Sequence, residues 1–245
     1  MRYMMTFSYD GSKYNGYQKQ PNIETIQSVL EDKLTQINSN NKVNVSASGR
    51  TDSGVHALNQ KAHFDLKIEL PVDRLKHSLN KMLPPSIYVK DIKIVSEEFH
   101  ARFDVKRKKY VYKINVGEYN PLDADYIYQY NNELNIEKMS LGIKEFIGTH
   151  DFTSYTKGCE EKEDYVRTIY EAYVIKENDI IEITFIGNGF LRYMVRNMVG
   201  SLIEIGSGKM NASDIANIIE KKDRKCAGLT APSCGLYLVD VEYEK

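Results

Sequence analysis

Hydrophobic and polar residues alternate along the first residues of the chain, and the period then changes. Tyr3, Met5 and Phe7 share one face of the stretch "MRYMMTFSYDG", which predicts a half-buried strand. In "TIQSVLEDKLTQIN" the apolar residues recur at helical spacing behind Thr25, whose side chain is placed to cap a helix. The chain therefore opens with a strand and an amphipathic helix.

The same two periods predict the remaining elements. The first half has strands in "NKVNVSAS", "QKAHFDLKI" and "SIYVKDIKIV", and a helix in "PVDRLKHSLNKML" with Pro71 in its first turn. The second half has strands in "RKKYVYKINV", "RTIYEAYVIKE", "DIIEITFIG" and "GLYLVDVEY", and helices in "IEKMSLGIKEFIG", "FLRYMVRNMVGSLIEIG" and "SDIANIIEKKD", the last with Ser213 as its cap. Two halves with comparable orders predict an α+β fold of two lobes, 1–104 and 105–245, with a mainly antiparallel sheet and flanking helices.

The composition is that of a globular protein. The chain has 245 residues, of which 42% are hydrophobic, and this suits one large domain or two of about a hundred residues each. No apolar run approaches the roughly 18–20 residues of a membrane helix, and the start lacks a signal-peptide pattern. Cys159, Cys226 and Cys234 are odd in number and lack C-x-x-C spacing, which predicts no disulfide framework or zinc site. We therefore expect a cytoplasmic protein without a membrane partner.

The formal net charge of −1 means that a nucleic-acid partner would need local basic faces on this protein. Two such faces are present in the sequence, the run "KRKKY" at 106–110 and the pair Arg192 and Arg196. Runs of this kind also occur as solvated edges, so charge alone does not decide the function.

The stretch "GRTDSGVHA", residues 49–57, has a composition that no helix or strand requires. Gly49 and Gly54 permit a sharp bend and close approach to a ligand, and a turn between strands would place Asp52 at a sheet surface. The alternative is that Asp52 only caps the turn through its own backbone. "GSGKM" lacks the pattern of a phosphate loop, and the five histidines show no metal-ligand spacing, so no cofactor or metal is predicted.

Five blocks, in order, resemble the tRNA pseudouridine synthase A family. They are "YDGSKYNGYQKQ", "GRTDSGVHA", "FHARFDVKRKKYVY", "GFLRYMVRNMVGSL" and "GLYLV", and they extend from Tyr9 to Val239. The family's motif G-R-T-D-x-G-V-H-A carries its catalytic aspartate, which corresponds to Asp52. The sequence departs from the family at Tyr17, where the family usually has tryptophan.

The resemblance implies isomerisation of uridine to pseudouridine in the anticodon stem-loop of tRNA, at positions 38, 39 and 40. It also implies a homodimer, no cofactor or metal, and two lobes joined in one continuous sheet with the active-site cleft between them. A carboxylate can assist this reaction as a nucleophile or as a base that removes a sugar proton, and the sequence does not choose between these roles.

Arg196 is the predicted catalytic partner of Asp52. It lies on an otherwise apolar predicted helix, where a cation is costly without an anion beside it, and the family pattern suggests the same pair. The alternative is an edge arginine that faces solvent with Arg192.

The resemblance also implies substrate-binding residues. The family counterpart of Tyr110 stacks on the target uracil and could help remove the C5 proton, whereas the alternative is that Tyr110 is a core residue. Leu238 would form part of the apolar wall of the pocket. Arg50 is the predicted wedge that fills the stack vacated by a flipped uridine. The basic run 106–109 and Arg192 would hold phosphates.

Two other classes of function compete with this reading. A non-catalytic RNA-binding module would bind RNA and leave every uridine unchanged. A hydrolase with an aspartate nucleophile would act on a small substrate and ignore RNA.

Overall fold

The computed structural model of the chain describes residues 1–157 and 164–244. These ranges contain ten strands and five α-helices, and most strand pairs are antiparallel, so the predicted α+β class is confirmed. Within the same ranges no helix is long and apolar enough to cross a membrane. Cys159, considered above for disulfide and metal chemistry, lies outside the described residues.

The helices and strands follow one another in this chain order: β1 (Arg2–Tyr9), α1 (Ile26–Ile37), β2 (Ser46–Ala47), β3 (His56–Asp65), α2 (Val72–Met82), β4 (Ile87–Ile94), β5 (Val105–Asn115), β6 (Tyr128–Gln129), α3 (Ile136–Gly142), β7 (Gly148–Asp151), β8 (Val166–Glu177), β9 (Ile180–Gly187), α4 (Met194–Gly206), α5 (Asp214–Lys221) and β10 (Leu236–Tyr243). The chain divides into two compact units. Unit 1 comprises Met1–Lys106 and Tyr237–Lys245, and unit 2 comprises Arg107–Leu236.

Strand β3 is central in unit 1. It pairs antiparallel with β1, which pairs antiparallel with β4. On its other side β3 pairs antiparallel with β2 and parallel with β10, where Tyr237 lies opposite His56 and Leu238 opposite Ala57. The last strand of the chain is therefore beside β3, the strand that leaves the "GRTDSGVHA" turn.

The core of unit 1 is built from one face of β1 and two helices. Tyr3, Met5 and Phe7 are fully buried and alternate with less buried residues, as the two-residue period predicts. Burying a large apolar side chain contributes about 1.5–3 kcal/mol, before the entropy cost of ordering the chain. The helices add fully buried leucines: Leu30 and Leu34 from α1, and Leu75 and Leu79 from α2.

The start of α1 agrees with the sequence, whereas the cap of α5 does not. Thr25 Oγ1 accepts a hydrogen bond from Ser28 N at 3.2 Å, and Ser28 Oγ accepts one from Thr25 N at 3.0 Å. This reciprocal capping box satisfies two backbone donors that the helix leaves open. Ser213 occupies the cap position of α5, but its side chain makes no capping bond within the described residues. The carboxylate of Asp214 instead accepts from Asn211 N at 2.9 Å.

The predicted strand at 41–48 is reduced to the two residues of β2. Val43 N donates to Thr35 Oγ1 at 3.0 Å, and Val45 N donates to Glu31 Oε1 at 3.1 Å. Side chains of α1 thus take the backbone donors that a neighbouring strand would otherwise take.

Unit 2 contains an antiparallel sheet in the order β5, β9, β8, β7, with β6 parallel to β5. Its core includes an aromatic cluster in which Phe146 packs edge-on against Tyr155 at 5.1 Å and against Phe185 at 6.1 Å. Helix α4 is buried along most of its length. It begins at Met194 rather than at the predicted 190, because Tyr193 adopts a left-handed conformation with φ 62°.

Candidate active site

The turn that carries Asp52 connects β2 to β3 in unit 1, and Gln60 closes it at its base. Ser48 N donates to Lys61 O at 2.7 Å, and Ser48 Oγ donates to Gln60 Oε1 at 2.6 Å. Gln60 Nε2 donates to Gly49 O at 3.1 Å. Because Gln60 is fully buried, water does not compete for these bonds, and the entry to the turn is held in one position.

The loop between β1 and α1 packs against the same turn on both sides of Asp52. Tyr17 N donates to Thr51 O at 3.0 Å. Ser53 Oγ donates to Tyr14 O at 3.2 Å. The residues immediately before and after Asp52 are therefore both fastened to this loop.

Two glycines of the β1–α1 loop permit this close approach. Gly16 has φ +88°, and a Cβ there would lie 3.1 Å from Thr51 O and 3.2 Å from Ser53 N. A Cβ on Gly11 would lie 1.9 Å from Val55 O. Backbone conformation and space both require glycine at Gly16, and space requires it at Gly11. The block "YDGSKYNGYQKQ" therefore supports the "GRTDSGVHA" turn.

His56, near the end of the turn, has a structural role. Its Nδ1 accepts a hydrogen bond from Gly11 N at 3.2 Å and lies 3.4 Å from the carboxylate of Asp10. Its ring stacks on Tyr237 with 4.8 Å between centroids. His56 is buried and links the turn to the β1–α1 loop and to β10.

Three of the predicted site residues lie in unit 1. Asp52 is half-buried on the turn, whose backbone is held on both sides of it by the bonds described above. Arg50 is exposed two residues earlier, as a wedge requires. Leu238 is fully buried on β10 opposite Ala57, and it therefore lies beside the strand that follows the turn.

The other three lie in unit 2, two of them near the start of α4. Tyr110 is on β5, where 7% of it is exposed, and its ring meets Phe190 edge-on at 5.1 Å. Arg196 is half-buried on α4, and its Nε donates to Ala231 O at 2.7 Å. The prediction that Arg196 lies on an apolar helix is confirmed. Arg192 is exposed, and its guanidinium lies 5.2 Å from the ring centre of Tyr193.

The basic run at 106–109 is partly neutralised within the protein. Lys106 Nζ lies 2.8 Å from the carboxylate of Glu244, and Arg107 lies 3.9 Å from that of Glu171. The Arg107 guanidinium also lies 5.2 Å from the ring centre of Tyr170. A phosphate at these two residues would compete with carboxylates that are already in place.

Sequence reasoning missed Tyr9 as a residue of the site. Its hydroxyl lies 2.8 Å from the hydroxyl of Thr51, next to Asp52 in the chain. Burial raises the pKa of Tyr9 to about 12, and the Thr51 hydrogen bond opposes only part of that shift. Tyr9 therefore stays neutral at physiological pH and acts as a hydrogen-bonding group rather than a base. Its place inside the "YDG" block was the only available signal.

The described residues do not form a metal site. Residues 1–157 and 164–244 contain no group of three histidine, cysteine, aspartate or glutamate side chains placed to hold a metal ion. Cys226 and Cys234, the two cysteines in these ranges, are free thiols.

Comparison with known proteins identifies the family. The model of the tRNA pseudouridine synthase family matches residues 5–104 and 143–244. The chain belongs to the tRNA pseudouridine synthase family. The matched ranges include Asp52, Arg50, Arg192, Arg196 and Leu238, whereas Tyr110 lies between them.

Individual relatives match over the full length of the chain. A protein of Exiguobacterium sp. named tRNA pseudouridine synthase A is 46% identical over 244 residues, which are 100% of this chain and 98% of that protein. Proteins of the same name from Geobacillus sp. (strain WCH70) and Anoxybacillus flavithermus are 44% and 43% identical, each over 99% of this chain and over 98% and 99% of their own lengths.

Proposed function

We propose that this protein converts uridine to pseudouridine in the anticodon stem-loop of tRNA, at positions 38, 39 and 40, with Asp52 as its catalytic carboxylate and without a cofactor. The family match and the full-length relatives named tRNA pseudouridine synthase A support the reaction and the tRNA substrate. The three positions, the role of Asp52 and the absence of a cofactor follow from the resemblance of the five sequence blocks.

One observation carries the proposal, namely the fixed backbone around Asp52. The Tyr17–Thr51 and Ser53–Tyr14 hydrogen bonds hold the residues before and after the aspartate. A carboxylate that is already in place loses little freedom when substrate binds, and orientation of this kind accounts for a large share of enzymatic rate enhancement.

The reaction needs few protein groups because uracil is both leaving group and nucleophile. The bond from ribose C1′ to uracil N1 breaks, the base rotates, and a bond forms from C1′ to C5. The hydrogen on C5 passes to water, and N1 gains a proton. Asp52 assists either as a nucleophile toward the substrate or as the base that removes a sugar proton; both roles require the ionised carboxylate.

Arg196 supplies the cation that keeps Asp52 ionised and oriented in this proposal. The half-buried position of Arg196 on an apolar helix supports it, since such a guanidinium needs acceptors. Nε of Arg196 donates to the carbonyl of Ala231. The planar fork of the two terminal nitrogens has the geometry that suits a carboxylate.

The remaining site residues would bind the flipped nucleotide. Tyr110 stacks on the uracil, and Leu238 forms part of the apolar wall of the pocket. Arg50, exposed in the turn, fills the gap in the RNA stack, because extruding a paired base costs a few kcal/mol. Arg192 contacts phosphate.

We further propose that the protein works in the cytoplasm as a homodimer. With a net charge of −1, one chain offers little basic surface for an L-shaped tRNA. A second copy doubles the basic surface that can contact phosphates. Sedimentation of the purified protein tests this assembly; a monomer that modifies tRNA at full rate over a wide salt range would contradict it.

The activity is tested with unmodified tRNA labelled with tritium at C5 of uridine, without added metal or nucleotide. Pseudouridine formation must release the label to water in proportion to turnover. Asp52→Ala and Asp52→Asn should bind tRNA nearly as the parent does, because phosphate contacts dominate affinity. Both should lose at least about 10⁴-fold in rate, as is common when a unique catalytic group is removed.

Asp73→Asn is the matched control, because Asp73 is an exposed aspartate of α2 in the same unit. It should release tritium at the parent rate. Substantial release by a verified Asp52→Ala protein would refute the catalytic role. Tight tRNA binding by the parent without any release would favour the RNA-binding module.

A further inference from the structure

Three cationic side chains of unit 2 surround a single tyrosine. The charged groups of Lys157, Arg192 and Arg196 lie 5.5, 5.2 and 5.1 Å from the ring centre of Tyr193. Each distance is within the range of a cation–π contact. One aromatic ring therefore gathers three positive charges near the start of α4.

The backbone holds these residues together although Lys157 is distant from the others in sequence. Thr156 Oγ1 donates to Arg192 O at 3.1 Å. Asn197 Nδ2 donates to Tyr155 O at 2.7 Å in the buried interior. The segment that ends at Lys157 is thus fastened at two points, to Arg192 just before α4 and to Asn197 in the first turn of α4.

Two members of this cluster, Lys157 and Arg192, have no counter-ion among the residues that the structure describes. Lys157 and Arg192 are exposed, and neither forms an ion pair with another residue in 1–157 or 164–244. Because both charged groups lie within 5.5 Å of one ring centre, they are at most about 11 Å apart. Like charges at this separation still repel, since the screening length is about 8–10 Å at physiological salt. The contribution of one ring to each cation is small at an exposed site. An anion between the cations would relieve the repulsion.

We propose that Lys157 and Arg192, gathered by Tyr193, bind a backbone phosphate of the RNA substrate. The guanidinium can bind two phosphate oxygens at once, and the ammonium adds a compact charge. The N-terminus of α4, which directly follows Tyr193, adds the partial positive charge of the helix dipole.

The position of this phosphate follows from Arg196, which contacts the same ring. Arg196 is the residue that we pair with Asp52, so the bound phosphate belongs to the strand that carries the target uridine. This assignment rests on the proposed function, whereas the phosphate site itself needs only RNA binding.

The test measures the affinity for unmodified tRNA against salt concentration, with every variant carrying Asp52→Ala so that no turnover occurs. Lys157→Gln and Arg192→Gln should each weaken binding several-fold at low salt. Each should also lower the slope of log affinity against log salt by about one, the change expected for one lost phosphate contact.

Lys209→Gln is the matched control. Lys209 is exposed just beyond the other end of α4, and a helix of this length spans about 20 Å, well beyond the screening length. The control should keep the parent affinity and slope. Tyr193→Leu should lower the slope, because the ring that holds the cations together is lost. Tyr193→Phe keeps the ring and should match the parent.

If Lys157→Gln and Arg192→Gln kept the slope of the parent, the phosphate site would be overturned. It would also be overturned if Lys209→Gln lost as much affinity and slope as these two variants. Failure of the proposed function is separate. If the parent releases no tritium but binds tRNA with the predicted charge dependence, the phosphate site stands and the isomerase does not.

Discussion

The hydroxyl of Tyr9 lies 2.8 Å from the hydroxyl of Thr51, and Thr51 directly precedes Asp52. Both residues are buried, so water does not replace this bond when it is lost. Tyr9 is the last residue of β1, and its backbone pairs with Ala57 of β3. The central strands of unit 1 thereby fix the turn that carries the proposed catalytic aspartate.

Tyr9→Phe should reduce turnover more than it reduces binding. The ring continues to fill the core, but Thr51 loses its partner, and the turn gains freedom next to Asp52. Small displacements of a reacting group commonly cost about ten- to a hundredfold in rate. We expect kcat for tritium release to fall in this range, with tRNA affinity unchanged, at a temperature well below the unfolding midpoint.

A double-mutant cycle separates positioning from general destabilisation. Thr51→Val should lower kcat like Tyr9→Phe, and the double variant should be no worse than either, because both remove the same bond. Thr51→Ser keeps the hydroxyl and should restore most of the rate. Additive losses, or parallel losses of affinity and kcat, would show that the bond does not position Asp52.

Tyr17→Phe should stabilise the protein. Tyr17 is 2% exposed, and its hydroxyl has no hydrogen-bond partner among the described residues. Burial raises its pKa well above 10, as expected for a hydroxyl without compensation. Removing the hydroxyl should increase the free energy of unfolding by about 1 kcal/mol. Urea unfolding provides the measurement, and Tyr9→Phe, whose hydroxyl is bonded, should shift stability in the opposite direction. A destabilised Tyr17→Phe would contradict the unsatisfied hydroxyl.

Stability should depend on the protonation of His63, a buried residue of β3. Its Nδ1 accepts a hydrogen bond from Ala101 N at 3.1 Å, and its ring lies 4.7 Å from that of His100. Burial lowers its pKa below the usual 6.5, assisted by His100 and Arg2 and opposed by nearby Asp65 and Asp104.

The sign follows from proton binding in the two states. Between the lowered folded-state pKa and 6.5, the unfolded chain binds more protons than the folded protein. The contribution of His63 to the free energy of unfolding is therefore fully present above pH 6.5. It declines as the pH falls through 6.5 toward the folded-state pKa. His63→Asn should reduce this decline in urea unfolding at several pH values. His77→Asn, at an exposed histidine of α2, should retain it, and equal pH dependence in the parent and His63→Asn would refute the assignment.

The periodic elements were predictable because one pattern decides them. β1, α1 and α2 each bury a single face, and period and boundaries then agree closely with the structure. The start of α4 was not predictable in this way. A non-glycine residue in the left-handed conformation, such as Tyr193, leaves no signal in composition.

The site divides in the same manner. Asp52 and Arg50 stand in one short motif, so their neighbourhood could be predicted from the sequence. The Tyr9–Thr51 bond depends on the register of β1 with β3, and the approach of Lys157 to Arg192 depends on a long-range hydrogen bond. Contacts of this kind are set by tertiary packing, which local sequence does not encode.

The proposed Arg196–Asp52 pair makes the most direct prediction about catalysis. Arg196→Met removes the charged guanidinium but keeps an unbranched apolar stem that fills space on α4. Loss of a transition-state-stabilising donor commonly costs about 10²–10³-fold in kcat, and we expect tritium release to fall at least this far. Circular dichroism and thermal unfolding should show that unit 2 remains folded, with a modest loss of stability from the missing bond to Ala231 O.

Arg196→Lys is the conservative comparison. Lysine restores the charge but not the planar fork that holds two oxygens of a carboxylate, so it should recover only part of the rate. Full recovery would show that charge alone is sufficient. Near-normal turnover by a folded Arg196→Met protein would rule out the pair, since an ionised Asp52 would then need no guanidinium. In the double variant with Asp52→Ala, the arginine substitution should cause no further loss, because a group that acts through Asp52 has nothing left to orient.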